Sequence, residues 1–220
     1  MANTELTSDD GDVAGLRGLA LIEALERLDP ASLVAGTLDV NELVSTFDLE
    51  ELGKDDFRRL LAALLRAAPG APSLDLSKVD PTHFATLVAR ASKAQLEAVV
   101  AERPLRDRLL GEIFARMGAH IRQDRTKNLH AVVHWRLTGG HGDGGYDRYE
   151  TVISHGSCTV SRDMREKPKA TITIGPADFF KLITHQATPA VLFVTGKLKV
   201  KGDLAFAAGL IGFFDLPKPG

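Results

Sequence analysis

The chain has a single cysteine, Cys158, among 220 residues. No disulfide can form within it, which fits a reducing compartment. Long apolar runs are also missing. The longest, such as Leu60–Leu65 and Ala190–Val194, fall far short of the ~20 residues that a membrane span needs. The opening residues, Met-Ala-Asn-Thr-Glu-Leu-Thr-Ser-Asp-Asp, have neither the basic start nor the apolar stretch of a secretory signal. A cytoplasmic location is therefore expected. An excess of one charge is lacking as well, with 27 Lys and Arg against 29 Asp and Glu and a net charge of −2. That balance argues against a nucleic-acid partner, since such proteins carry a marked basic excess. It is also too mild for general disorder.

Motifs for chemistry are equally scarce. There is no Gly-x-Ser-x-Gly nucleophile elbow. The Gly139–Gly145 stretch lacks Gly-Lys-Ser/Thr and does not open a helix, so it reads as a flexible hairpin and not a phosphate loop. His130 and His134 share a strand face, and His141 and His155 approach across the hairpin. No cysteine pair or carboxylate frame accompanies them. Neither a metal nor a cofactor is expected, and no catalytic residue stands out. Cys158 reads as a buried, inert thiol.

What is present is ordinary core material, 44% hydrophobic residues, arranged in two regimes. Residues 1–12 form an acidic, polar tail. Residues 13–103 follow a helical period: Leu21, Leu25 and Leu28, then Phe57, Leu60, Leu61 and Leu64. Asp29-Pro30, Pro69-Gly70 and Ala71-Pro72 punctuate them. This half repeats itself. Asp48-Leu49-Glu50-Glu51-Leu52 is echoed by Asp75-Leu76-Ser77-Lys78-Val79, a shift that also carries Phe57 onto Phe84, Leu60 onto Leu87 and Leu61 onto Val88. Two stacked loop–helix units account for the echo; so does a simple pair of packed helices.

Residues 104–220 read differently. Pro104 suits the first turn of a helix, and Leu105, Leu109, Ile113 and Met117 give it a broad apolar face with Leu110, Phe114 and Ile121. The charged stretch 122–128 reads as a loop. From Ala131 the period drops to two: Val133, Trp135 and Leu137, then Tyr149, Thr151 and Ile153, then Cys158 and Val160, then Ile172 and Ile174. Short turns join these segments as antiparallel strands. Gly175-Pro176 opens a helix with Phe179, Leu182 and Ile183 inward. Lys197–Lys201 reads as a fifth strand, with three lysines opposite Leu198 and Val200. Leu204–Phe214 reads as a last helix, apolar almost all round and so expected to be shielded. The fold class is α+β: a five-stranded, mainly antiparallel sheet covered by helices, preceded by an all-helical N-terminal region.

Thr171-Ile172-Thr173-Ile174, Asp178-Phe179-Phe180 and above all Gly196-Lys197-Leu198-Lys199-Val200-Lys201-Gly202-Asp203 resemble the sterol carrier protein type 2 family. The spacing from Asp178 through Pro189 and Phe193 to Gly196 matches its pattern too. The resemblance covers roughly residues 105–216, and the whole chain is similar to bacterial members with a helical extension. The glycine-rich hairpin and the charged loop 161–169 depart from the family pattern.

The resemblance implies an apolar tunnel between sheet and helices that holds a sterol, fatty acid, fatty acyl-CoA or phospholipid, without catalysis. Val133, Trp135, Tyr149, Thr151 and Ile153 would form the sheet wall. Phe179, Leu182, Ile183, Leu192, Phe193, Leu204, Leu210, Ile211 and Phe214 would form the helical lid. Taken singly, each of these reads first as plain core, because periodicity does not separate a filled interior from a hollow one. The Lys197, Lys199 and Lys201 ladder would meet a headgroup, a CoA phosphate or a membrane surface; otherwise it protects a solvated strand from edge pairing. Residues 13–103 would mediate oligomerisation or hold a protein partner; the alternative to a carrier is a protein-interaction module or an accessory subunit that presents a lipid to a separate enzyme.

Overall fold

The computed structural model describes residues 16–27, 39–42, 48–67, 75 and 78–219. The acidic tail and the breaks at Asp29-Pro30 and 69–72 lie outside the described residues. Helices α1 (Gly18–Arg27), α2 (Lys54–Ala67), α3 (Pro81–Arg90) and α4 (Lys93–Ala101) lead into the long α5 (Arg103–Ala119) and a single turn, α6 (Gln123–Thr126). Strands β1 (His130–Thr138), β2 (Tyr146–Ser154), β3 (Ser157–Ser161) and β4 (Ala170–Ile174) follow. Then come α7 (Pro176–Ile183), α8 (Pro189–Val194), β5 (Leu198–Gly202), α9 (Leu204–Gly209) and a 3₁₀ turn, Leu210–Phe213.

Local chemistry sets the helix starts. Asp80 accepts from the backbone of Thr82 and His83 to cap α3, and Ser92 with Gln95 forms a reciprocal capping box on α4. The buried Gln95 amide also donates to the carbonyls of Leu49 and Leu52, both at 2.8 Å, and so fixes the turn before α2. Proline sits in the first turn of α3, α5, α7 and α8, where its missing N–H has no cost. Helices α2 and α3 start at Lys54 and Pro81, the same interval as the sequence echo. The stretch around 122–128 is not simply a loop. It winds one helical turn, because Thr126 is fully buried and donates its hydroxyl to the Arg122 carbonyl.

The sheet order is β3-β2-β1-β4-β5. Three pairings are antiparallel, as the alternation suggests, but the central β1–β4 pair is parallel, with Val133 opposite Ala170 and Trp135 opposite Ile172. The sheet is therefore mixed. One face carries Val133, Trp135, Leu137, Tyr149, Thr151, Ile153, Ile172, Ile174, Leu198 and Val200. The other carries His134, Arg136, Glu150, Thr173, Lys199 and Lys201. Helix α5 lies over the apolar face at β3, where Gly118 lets it come close. A Cβ there would sit 3.3 Å from the Cys158 carbonyl.

Helix α5 is fixed at its start by charge. Arg106 and Asp147, only 3% and 6% exposed, form an ion pair. The guanidinium also donates to the Thr138 carbonyl at 2.8 Å. The glycine-rich hairpin serves this junction: a Cβ at Gly140 would fall 2.2 Å from the Asp147 backbone nitrogen, so no side chain fits there. On its other flank α5 joins α2 and α4, while α3 and α4 pack on α7. One continuous apolar core runs from Leu21 to Leu216.

Removing one member of a buried pair leaves a desolvated charge and costs ~3–5 kcal/mol. Arg106→Met is expected to lower unfolding stability by about that much in urea titrations, and Arg106→Met with Asp147→Leu to recover most of it. A single variant as stable as the parent would show that the pair does not hold the helix.

Candidate functional site

The residues expected to wall a tunnel are brought together, but they touch one another. Phe114 of α5 stacks on Tyr149 at 3.9 Å and on Phe179 at 5.1 Å, and Trp135 meets Phe179 edge-on at 5.4 Å. The Trp135 indole donates to the Thr151 hydroxyl at 3.0 Å, so its polar atom is satisfied in the interior. Val133, Ile153, Leu182, Ile183, Leu192, Leu210 and Phe214 are also buried, and Ile211 is half-buried. Phe114, which anchors the cluster, was visible in sequence only as part of a helix face. Phe180 points away from the sheet toward α2–α5 and lines a small apolar crevice of about 60 Å³ with Phe57, Phe84 and Ile113.

Two expected lid residues, Phe193 and Leu204, lie elsewhere. They line an open groove of about 330 Å³ between α8, β5 and α9, together with Thr188, Pro189, Ala190, Leu198, Val200, Ala207 and Ala208. The last helix is thus not shielded along its length. Leu204 is 50% exposed, and only Ala207 within α9 is buried. The helix is also shorter than its apolar run, because the chain tightens into a 3₁₀ turn after Gly209, and Phe214 then pairs with Ile121 as an isolated bridge. Thr188-Pro189, a helix cap followed by a first-turn proline, was the sequence signal for α8, the wall that strand and helix periodicity missed.

The groove is not detached from the aromatic cluster. Tyr149, Trp135, Ile172 and Val200 occupy one rung across β2, β1, β4 and β5. Val200 at the groove floor is therefore two strands, ~10 Å, from Trp135. At this edge Gly202, with φ +104, allows the backbone to turn against Lys169; a Cβ would be 2.4 Å from the Lys169 carbonyl. Asp203 then caps α9 through the Phe206 N–H at 2.8 Å.

A family model described as the SCP-2 sterol transfer family matches residues 110–215. That segment belongs to the SCP-2 sterol transfer family. The match takes in helix α5, the whole sheet, the aromatic cluster and the groove, and leaves α1–α4 outside. Among solved structures, the chain is similar to a UbiJ-SCP2 ubiquinone synthesis protein (17% identity, 51% of this chain, 93% of that chain, TM-score 0.40). It is also similar to sterol carrier protein 2-like 2 from Aedes aegypti (19%, 48% and 93%, TM-score 0.37). A third similar structure is the sec-alkylsulfatase Pisa1 from a Pseudomonas species (13%, 96% and 35%, TM-score 0.43). No curated protein sequence matches the chain.

No titratable side chain lines the groove itself. On the outer sheet face, Glu150 is buried. Burial alone would raise its pKa, but the Glu166 N–H at 2.8 Å and the His134 ring at 3.1 Å outweigh that and hold it below its ordinary value of 4.5. Ser154, His130 and Glu166 make a second outer-face series. His130 and Glu166 are 3.8 Å apart, and both are well exposed. Nothing there excludes water, as a hydroxyl nucleophile's site would need. Burial pushes the Cys158 thiol up to about 11, so the thiolate is scarce at neutral pH.

Two measurements check these environments. Glu150 is depressed in the folded chain, so its stabilising effect is present above about pH 4.5 and fades as pH falls through the folded pKa. The difference in melting temperature between wild type and Glu150→Gln should shrink on acidification from neutral pH to below 4.5. A constant difference would contradict the assignment. At pH 8, Cys158 should react with a disulfide reagent ~100-fold more slowly in the native state than in denaturant, a ratio set by a thiol pKa about two units apart in the two states.

Proposed function

We propose that the SCP-2 segment binds a ligand with a long apolar body, of the sterol, fatty acid, fatty acyl-CoA or phospholipid type. It carries the ligand inside the cell without transforming it. The observation that supports this is the groove between α8, β5 and α9. Its lining is aliphatic and aromatic except for Thr188. Its volume of about 330 Å³ falls at the lower end of the ~300–1,000 Å³ usual for small-molecule sites. Covering ~300 Å² of ligand hydrocarbon would yield ~7 kcal/mol before ordering costs. A ligand longer than the groove extends along the Val200–Ile172–Trp135 rung, displacing side chains toward the aromatic cluster.

The packing of that cluster favours a second reading, in which the SCP-2 segment is a filled scaffold and the N-terminal helices recruit a protein partner or a second copy. Native mass spectrometry of the purified chain and displacement of a fluorescent fatty acid separate the two readings. The carrier predicts copurified lipid, a change in Trp135 emission on loading, and at least tenfold weaker binding for Leu204→Glu. It also predicts no turnover of acyl-CoA. If no lipid copurifies and no probe binds, the scaffold reading replaces it; turnover by the pure chain would overturn both.

A further inference from the structure

The outer face of the sheet holds an arrangement that the groove does not use. In the β1–β2 register, Arg136 stands directly opposite Arg148. Side chains so placed have Cβ atoms ~5 Å apart, and like charges there are destabilising. On the other side of Arg136 comes Thr173 of β4, and beyond it Lys199 of β5. One rung of the outer face therefore reads Arg148, Arg136, Thr173, Lys199, with no carboxylate in it. Among the described residues, none of its three cations makes an ion pair. Arg58, Arg59 and Arg106, by contrast, each have a carboxylate at hydrogen-bond distance.

The acidic groups around this rung are engaged elsewhere. Glu150, one rung away, accepts from the Glu166 N–H and lies against the His134 ring. Asp178 pairs with Lys197. Asp147 turns to the inner face and to Arg106. Asp143 offers Arg148 its backbone carbonyl, which accepts from Nη2 at 2.8 Å and holds one end of the guanidinium. Arg148 Nε is buried and has no hydrogen-bond partner among the described residues. A buried donor left in that state is costly. Gly144, at φ +71, brings the hairpin close: a Cβ there would sit 3.4 Å from the Tyr146 ring and 3.8 Å from Arg148 Nη2. The Arg136 guanidinium lies 6.0 Å from the centre of that same ring. Two arginines are thus fixed side by side with no anion between them.

We propose that Arg136 and Arg148 form a binding site for a phosphate monoester of a water-soluble molecule, on the sheet face opposite the groove. A phosphate monoester carries a charge of about −1.5 to −2 and three strong acceptor oxygens. It can neutralise both guanidinium groups, whereas a carboxylate neutralises one. The planar forks of arginine match phosphate oxygens in pairs. Thr173 adds a hydroxyl beside Arg136, and Lys199 extends the positive potential two strand spacings, ~10 Å, from it. The phosphate belongs to a solute and not to a lipid surface. Interfacial binding sets apolar side chains beside cations, and the large exposed apolar side chains among the described residues lie on or next to α1, α8 and α9, none of them on a strand. This site is independent of what the groove holds.

Inorganic phosphate and phenyl phosphate are to be titrated into the full chain by calorimetry at constant ionic strength, with acetate as the comparison. Both phosphates should bind saturably and acetate should not. Arg136→Gln with Arg148→Gln should weaken phosphate binding roughly tenfold or more, Lys199→Gln should weaken it less, and Lys93→Gln on α4 should leave it unchanged. Melting curves add a readout that a structural role would move the other way. Without phosphate, Arg136→Gln should melt at or above the parent's temperature, because it removes a like charge from the rung. Neither arginine lines the groove, so the double variant should bind a fluorescent fatty acid as the parent does. The proposal is overturned if neither phosphate binds, if acetate binds equally, if the double variant keeps its affinity, or if Arg136→Gln melts below the parent. It is also overturned if phosphatidic acid vesicles capture the parent but not the double variant and phenyl phosphate does not compete, since the phosphate would then belong to a lipid.

Discussion

Helix α5 belongs to both halves of the molecule, and one buried ion pair, Arg106 with Asp147, sets where it lies. The guanidinium reaches the carboxylate on β2 and the carbonyls at the end of β1, so the hairpin and the helix are one rigid junction. From that junction Phe114 runs down onto the apolar face of the sheet, while Leu109 and Ile113 face α2, α3 and α4. A charge pair so deeply buried is weak evidence for added stability, because desolvation offsets much of the attraction. What it supplies is a joint: the guanidinium ties the first turns of α5 to β2 and to the end of β1. The aromatic stack of Phe114 on Tyr149 and Phe179 follows from that placement.

Much of the SCP-2 segment was legible in the sequence because its signals are local. Alternation at Val133, Trp135 and Leu137 and at Tyr149, Thr151 and Ile153 gave the inner face, and the lysines opposite Leu198 and Val200 gave the outer face of the fifth strand. The parallel pairing of β1 with β4 was not legible, since no short-range pattern reports which distant strand lies alongside. Phe180 was missed as a packing residue for a related reason. It sits next to Phe179 but points to helices far earlier in the chain, so a single apolar stripe did not describe a helix covered on two sides. The last helix misled because its residues are apolar while its position, at the sheet's edge, leaves half of it uncovered.

The candidate site was legible only in part. Phe193 and Leu204 were singled out, and both line the groove. Val133, Trp135, Tyr149 and Phe179 were expected around the same space and instead fill their own interior. Apolar residues that wall a void and those that fill one have the same spacing. Only the three-dimensional separation of α8 and α9 over β5 distinguishes them. The groove walls Leu198, Val200 and Ala207 were present in the sequence as ordinary strand and helix residues.

The parallel β1–β4 pair has a consequence for how the molecule assembles. β2 and β3 reach their partners across short turns, whereas Val133 and Ala170 are separated by the whole intervening meander. Closing that longer loop costs more chain entropy, and contacts of this range slow folding. Strands β4 and β5 join the rest of the sheet through that one pairing, but α7 between them packs on α3 and α4, and the chain after α9 returns to Ile121 through the Phe214 bridge, so this edge is stitched to the core from both sides.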